Sequence, residues 1–298
     1  MKGLIVTADD FGAAAEVNEA VELAYRRGIL TTASLMVGGL AAADAVQRAK
    51  RLPGLRVGLH IVLVEGAPVL PAGALPDLVD DTGRFRTDMV ATAIRLFFGP
   101  AVRQQAAAEI QAQFRAFADT GLRLDHVTVH KHFHLHPTVA GLILKIGARF
   151  GLRSARAPVE PESILAAAAD DYRPSPPWVT GPWAGLAAAR FRAAGVWVPD
   201  RTFGLRWSGA MTQARLQGLI GQLPEGTTEI FLHPATAGGF DGAASGYAYA
   251  AELEGLVSAS VRGAVEAAGV RLGGFTDFAP VSASVAAPAP ATQRFAQR

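Results

Sequence analysis

The sequence predicts an α/β fold, a closed or nearly closed (β/α) barrel of about seven parallel strands in one domain over residues 1–278. Three observations carry this. Short apolar runs alternate with segments of helical spacing along the chain. No Gly-x-Gly-x-x-Gly follows the first run and no phosphate loop occurs, which argues against an open dinucleotide-binding sheet. Several apolar runs end in ionisable residues, as strands do at the carboxyl face of a barrel.

Residues 3–8 form an apolar run ending in Asp9-Asp10-Phe11-Gly12, a buried strand followed by a loop. From Glu16 to Ile29, Val17, Ala20, Val21 and Ala24 recur at helical intervals, and Gly28 marks the end. Thr32 to Val37 is the second strand, and Ala41 to Leu52 an alanine-rich helix stopped by Pro53-Gly54. Arg56 to Val62, carrying His60, is the third strand. Residues 65–100, with Pro68, Pro71 and Pro76, read as irregular. A long helix is expected from Val102 to Ala118, then a His-rich strand, then a helix from Thr138 to Phe150. Gly151 to Ala157 is expected as the next strand.

Residues 158–209 lose periodicity and gather all four tryptophans, Trp178, Trp183, Trp197 and Trp207, as expected of an insertion or lid at the barrel mouth. Helix resumes at Met211 to Gln222. Glu229 to Leu232 is a strand running into His233, Leu253 to Ala268 a helix, and Arg271 to Phe275 a last strand closing the sheet. Residues 279–298 are Ala, Pro, Ser and Gln in the main, the composition of a disordered tail.

Composition narrows the chemistry. The chain has no cysteine, so any metal must be held by histidine and carboxylate. A formal charge of +2 without a basic run excludes nucleic acid as the expected partner. No apolar run reaches the roughly 18–20 residues of a membrane span. The N-terminus passes at once to Asp9-Asp10, unlike a signal peptide, so the expected location is cytoplasmic.

Five of the seven histidines, His126, His130, His132, His134 and His136, fall in one short segment at even positions. On a strand, alternation would put them on one face, with Val127 and Val129 on the other. The remaining two, His60 and His233, both stand at strand carboxyl ends. One carboxylate and two imidazoles with open positions suit a hydrolytic divalent ion. Of Asp9-Asp10, one would bind the metal and the other take a proton from water, while His233, across the barrel, would protonate the leaving group.

Thr7-Ala8-Asp9-Asp10-Phe11-Gly12, Gly58-Leu59-His60, His130-Lys131-His132-Phe133-His134 and Phe231-Leu232-His233-Pro234 together resemble the YdjC-like carbohydrate deacetylases. The resemblance implies a distorted β/α barrel and hydrolysis of an N-acetyl group from an amino sugar. It implies Asp10, His60 and His130 as metal ligands, Asp9 as general base, and His233 as the acid protonating the departing amine. Arg156, in Arg156-Ala157-Pro158, would orient the base. Two departures stand out. The family's His-Pro-Gly is here His233-Pro234-Ala235, and its His-His-His is His130-Lys131-His132. Lys131, at an odd position, should face away from the ligands, while His132 or His134 remains an alternative third ligand.

Residues 34–39 and 131–137 are similar to the branch associated with hopanoid biosynthesis, which implies a lipid-linked amino sugar. The tryptophan-rich region, Phe97-Phe98 and the 65–100 loop would then form an apolar lid, or else pack as ordinary core. That lid would allow contact with the inner face of a membrane, although no amphipathic basic helix demands it. The expected cofactor is one divalent ion, zinc first, with magnesium, manganese and cobalt as alternatives. Other readings are a deacetylase of soluble chitooligosaccharides, a non-enzymatic His-rich metal carrier, and a non-haem iron oxygenase, which the α/β alternation disfavours.

Overall fold

A computed structural model of the chain describes residues 1–174 and 181–280. Trp178 and residues 281–298, most of the expected tail, lie outside the described residues. The sheet contains β1 (Lys2–Phe11), β2 (Thr32–Leu35), β3 (Arg56–Ile61), β4 (Val127–Val129), β5 (Arg201–Phe203), β6 (Gly226–Leu232) and β7 (Arg271–Leu272). All pairings between them are parallel, in the order β4-β3-β2-β1-β6-β5. β7 pairs with the first residues of β1, Gly3 and Leu4, in the middle of that order, so the last strand does not close the sheet.

The predicted α/β fold is therefore present as a curled parallel sheet of seven strands, a half-barrel. Beyond β4 it continues, among the described residues, only as single bridges, Val127 to Ala155 and Ser154 to Trp197. The expected strand at 151–157 is thus an irregular segment. The amide of Thr202 donates to Val159 O at 3.0 Å, bringing that segment round to β5. β5 itself lies in the stretch whose periodicity was too weak to reveal a strand, because three residues cannot display an alternation.

β1 is buried almost throughout, as a strand covered on both faces must be. Helices Ala15–Arg27, Pro100–Asp119 and Pro137–Gly147 pack their apolar faces against the sheet, burying Val17, Val21, Ile110, Phe114 and Ile143. Each such side chain is worth roughly 1.5–3 kcal/mol when fully buried. The helix Pro100–Asp119 also buries Glu109 and Gln113. The Gln113 amide donates to Val62 O and accepts from Val62 N, and Glu109 takes the amides of Val69 and Leu70. These bonds tie down the loop after β3, which carries one rim of the cleft.

Three helices interrupt regions expected to be irregular. Asp88 caps Ala91 N and starts the helix Met89–Phe98, apolar nearly all round and so without the polar face that would betray it in sequence. In the 158–209 region lie the helices Glu162–Ala168 and Gly181–Ala193. There Trp207 is buried against Tyr172 and Trp197 packs edge-on to Phe275, leaving Trp183 exposed. The helix expected from Leu253 to Ala268 breaks at Ser258, whose hydroxyl caps the second half.

Candidate active site

At the carboxyl end of β1 the register with β2 slips between Ala8 and Phe11, and Asp10 takes a left-handed φ of 62°. This is a β-bulge, a device that re-aims a side chain at the end of a strand. Without it, Asp9 and Asp10 would point to opposite faces. With it, both line one cavity of about 660 Å³. Asp and Asn tolerate this conformation better than most residues.

His60 from β3 and His130, immediately after β4, reach the same place. His60 Nε2 and His130 Nδ1 each lie 3.2 Å from Asp10 Oδ1, and the two ring nitrogens are 3.4 Å apart. One ligand atom from each of Asp10, His60 and His130 falls within 4.8 Å of the others, a spacing that could hold a metal ion. His60 Nδ1 is 2.7 Å from Thr128 Oγ1, so a proton on Nδ1 leaves Nε2 free as a ligand atom. Burial pushes the His60 imidazole down, against the pull of Asp9 and Asp10. Burial pushes Asp10 up, but the His130 and His60 contacts outweigh it and hold the carboxyl well below its usual range. Carboxylate and neutral imidazole are the forms that bind a metal.

Asp9 is held differently. Arg156 donates to both its oxygens, Nη1 to Oδ2 at 2.5 Å and Nη2 to Oδ1 at 3.0 Å. The same guanidinium donates through Nε and Nη2 to Glu229 at 2.7–3.0 Å and lies 4.1 Å from the Phe231 ring centre. Thr7 Oγ1 donates to Glu229 Oε1 at 2.8 Å. Burial raises Asp9, but Arg156 prevails and keeps it ionised far below the ordinary carboxylate range. Arg156 and Glu229 are fully buried, so the row Glu229–Arg156–Asp9 is a fixed interior network. Sequence reading puts Thr128 on the imidazole face of the His-rich strand but misses Glu229. The available signal was parity: Glu229, Phe231 and His233 alternate on β6, as Thr128 and His130 do on β4.

His233 follows β6, the strand beside β1, and not across the barrel as expected. Its amide donates to Glu252 Oε2 at 2.5 Å, its ring packs against Tyr247, and it lines the same cavity. Its Nδ1 has no hydrogen-bond partner among the described residues.

The histidine segment departs from the expected single face. β4 ends at Val129, and Lys131 and His132 both take left-handed φ values, 53° and 52°. The chain turns, and the imidazoles scatter. His132 meets Phe231, and His134 stacks on Phe191 in the interior. Neither belongs to the three-residue ligand group. Burial, with the Arg156 charge, drives His132 well below its usual value. Lys131, expected to face away, lines the cavity and pairs with Glu65 at 2.9 Å. His126 sits at the opposite end of β4, between Asp125 at 3.0 Å and Ser34 at 3.1 Å. That Ser–His–Asp order resembles a hydrolase relay, but all three are buried, and a Cβ on Gly58 would meet the His126 ring at 2.6 Å.

A family model described as YdjC-like protein matches residues 3–267. The chain belongs to the YdjC-like family. Among its relatives, a carbohydrate deacetylase from Brevibacillus brevis is 38% identical over 149 residues, 49% of this chain and 56% of that protein. A chitooligosaccharide deacetylase from Salmonella schwarzengrund is 28% identical over 279 residues, covering 92% of this chain and 98% of the relative. Among solved structures, a putative cellobiose-phosphate cleavage protein from Enterococcus faecalis V583 superposes with a TM-score of 0.74 at 25% identity. That match covers 94% of this YdjC-like chain and 99% of the other.

Proposed function

We propose that this YdjC-like protein is a metal-dependent hydrolase that removes the N-acetyl group from an amino sugar. One observation carries the reading: the Asp10, His60 and His130 group lies in the same cavity as the Arg156-held Asp9 and His233. The deacetylase names of the relatives agree with it. Two nitrogens and one carboxylate oxygen favour zinc, with magnesium, manganese or cobalt as alternatives. When bound, such an ion polarises an amide carbonyl and lowers the pKa of water to about 7.

The chain's own groups do the rest. Asp9 Oδ accepts the proton of the attacking water as its oxygen bonds to the acetyl carbon. Arg156 fixes the direction of the Asp9 lone pairs, and Glu229 fixes Arg156. His233 gives a proton to the sugar nitrogen as the C–N bond breaks, releasing acetate and a free amine. Its position is set through its own amide by Glu252.

The favoured substrate is an N-acetylglucosaminyl hopanoid lipid. The support is the similarity of residues 34–39 and 131–137 to the hopanoid-associated branch, together with exposed apolar side chains on a helix that starts at the cavity rim. The second reading is a soluble chitooligosaccharide, which the name of the Salmonella relative favours. The test is acetate release from an N-acetylglucosaminyl lipid and from diacetylchitobiose, with and without chelator. Chelator-sensitive release from the lipid is expected. Release from the soluble sugar alone would keep the chemistry and discard the lipid. Absence of both, with several ions bound per chain, would point to a metal carrier.

A further inference from the structure

The helix Met89–Phe98 turns the wrong face outward. Only Thr92 and Leu96 of its residues are buried, while Val90, Ile94, Phe97 and Phe98 are exposed, Val90 by 71% and Phe98 by 74%. These positions follow helical spacing, so the four side chains form a stripe along one side. Soluble surfaces carry apolar residues singly, and a stripe of this kind marks an interaction site. The stripe begins at the cleft: Thr87 and Met89, at the start of the helix, line the same cavity as Asp10 and His60.

The surrounding charge selects the partner. Arg95 lies within the helix and Arg103 one turn beyond it. Each donates to a backbone carbonyl, Asp77 O at 3.4 Å and Phe97 O at 3.1 Å, and neither has a carboxylate ion-pair partner among the described residues. Of the acidic residues beside the helix, Asp88 is engaged in capping it and the Asp77 carboxylate accepts from the Gln105 amide. An apolar stripe flanked by unpaired arginines suits a helix lying in the headgroup boundary of an anionic membrane. Among the described residues no helix is long and apolar enough to cross a membrane, so such contact is with the surface alone.

We propose that the helix Met89–Phe98 docks this protein on an anionic lipid bilayer, setting the cavity mouth against the surface. The proposal extends the lipid-linked reading above but does not depend on the metal chemistry. A substrate whose sugar projects from the bilayer would then enter the cavity without its lipid leaving the membrane.

The test is sedimentation of the full chain with vesicles of phosphatidylcholine alone and with about one quarter phosphatidylglycerol. The comparison is with the variant V90S/I94S/F97S/F98S, whose altered side chains are exposed and outside the catalytic machinery. The wild type should bind the anionic vesicles at least about tenfold more tightly than the neutral ones, with salt weakening the binding. The variant should lose this binding yet keep its thermal midpoint and its rate on diacetylchitobiose. If the wild type fails to bind anionic vesicles, or the variant binds equally well, the proposal falls. It falls also if the stripe drives self-association that the variant abolishes, with no vesicle binding. Failure of deacetylation with vesicle binding intact would instead strike the proposed activity.

Discussion

Asp9 and Arg156 meet through two parallel hydrogen bonds, at 2.5 and 3.0 Å, in a fully buried pair. Asp10, one residue on, turns from that pair toward His60 and His130. Two adjacent carboxylates therefore have separate partners. One faces a cation of the protein and the other faces the ligand group.

That division predicts the behaviour of Asp9→Asn. The variant keeps the ligand group, so it should bind one divalent ion per chain like the wild type. Its acetate release should fall by about a hundredfold to ten-thousandfold, the usual weight of a positioned base. Elemental analysis beside the acetate assay checks both, and loss of metal from the variant would show that Asp9 is a ligand.

Thr128→Val removes the hydroxyl that holds His60 Nδ1 at 2.7 Å. Such outer partners set ligand orientation, and losing one weakens metal affinity by roughly 10–100-fold. Activity at low metal should drop and return on metal addition. Titration against a chelator of known affinity measures the change.

Arg156→Met leaves Asp9 and Glu229 buried without their shared cation. Breaking a buried ion pair from one side costs about 3–5 kcal/mol. The variant's urea midpoint should fall accordingly. An additional Glu229→Gln change should recover part of the loss, since it removes one of the two stranded charges.

His134 predicts a pH dependence. Burial, then the Arg156 charge, brings its imidazole from 6.5 down to about 3. The folded value lies below the unfolded one, so the unfolded chain takes up the extra proton. Stability from this group is complete above about pH 6.5 and is lost as pH falls toward 3. His134→Leu should therefore lose less stability between pH 7 and pH 4.5 than the wild type. Urea unfolding at the two pH values reads the difference, and equal slopes would refute it.

Ser34→Ala separates a buried relay from a working one. Ser34, His126 and Asp125 are hydrogen-bonded in line but sealed from solvent, and Asp125 also takes the amides of Phe275 and Thr276. The group clasps the C-terminal helix Phe275–Phe278 to β4. Removing the hydroxyl should cost about 1 kcal/mol of stability and leave acetate release unchanged. A collapse of activity with the fold intact would make the relay functional.

The alternation of strand and helix was legible because buried parallel strands are continuous apolar runs and their covering helices show a 3.6-residue stripe. His60 and Asp10 were legible as ligand candidates because they end such runs. Glu229 was not, since a charged residue inside a strand acquires meaning only from Arg156, which lies 73 positions away in the chain. The helix Met89–Phe98 escaped notice because its outward face is as apolar as its inward one.

By itself, the sequence determined the α/β class, the strands that carry ionisable ends, and the exclusion of cysteine chemistry. These follow from local composition and period. Only the tertiary structure decided how the five clustered histidines divide. Alternation would have put them on one face, but the strand ends at Val129 and the chain turns left-handed at Lys131 and His132, so that His130 joins the ligand group, His134 enters the core, and His132 and His136 stay half-buried. It also decided which of Asp9 and Asp10 faces the ligands, through the bulge at Asp10. Both outcomes depend on single backbone torsions. Packing by distant residues selects those torsions, and no local pattern in the sequence records them.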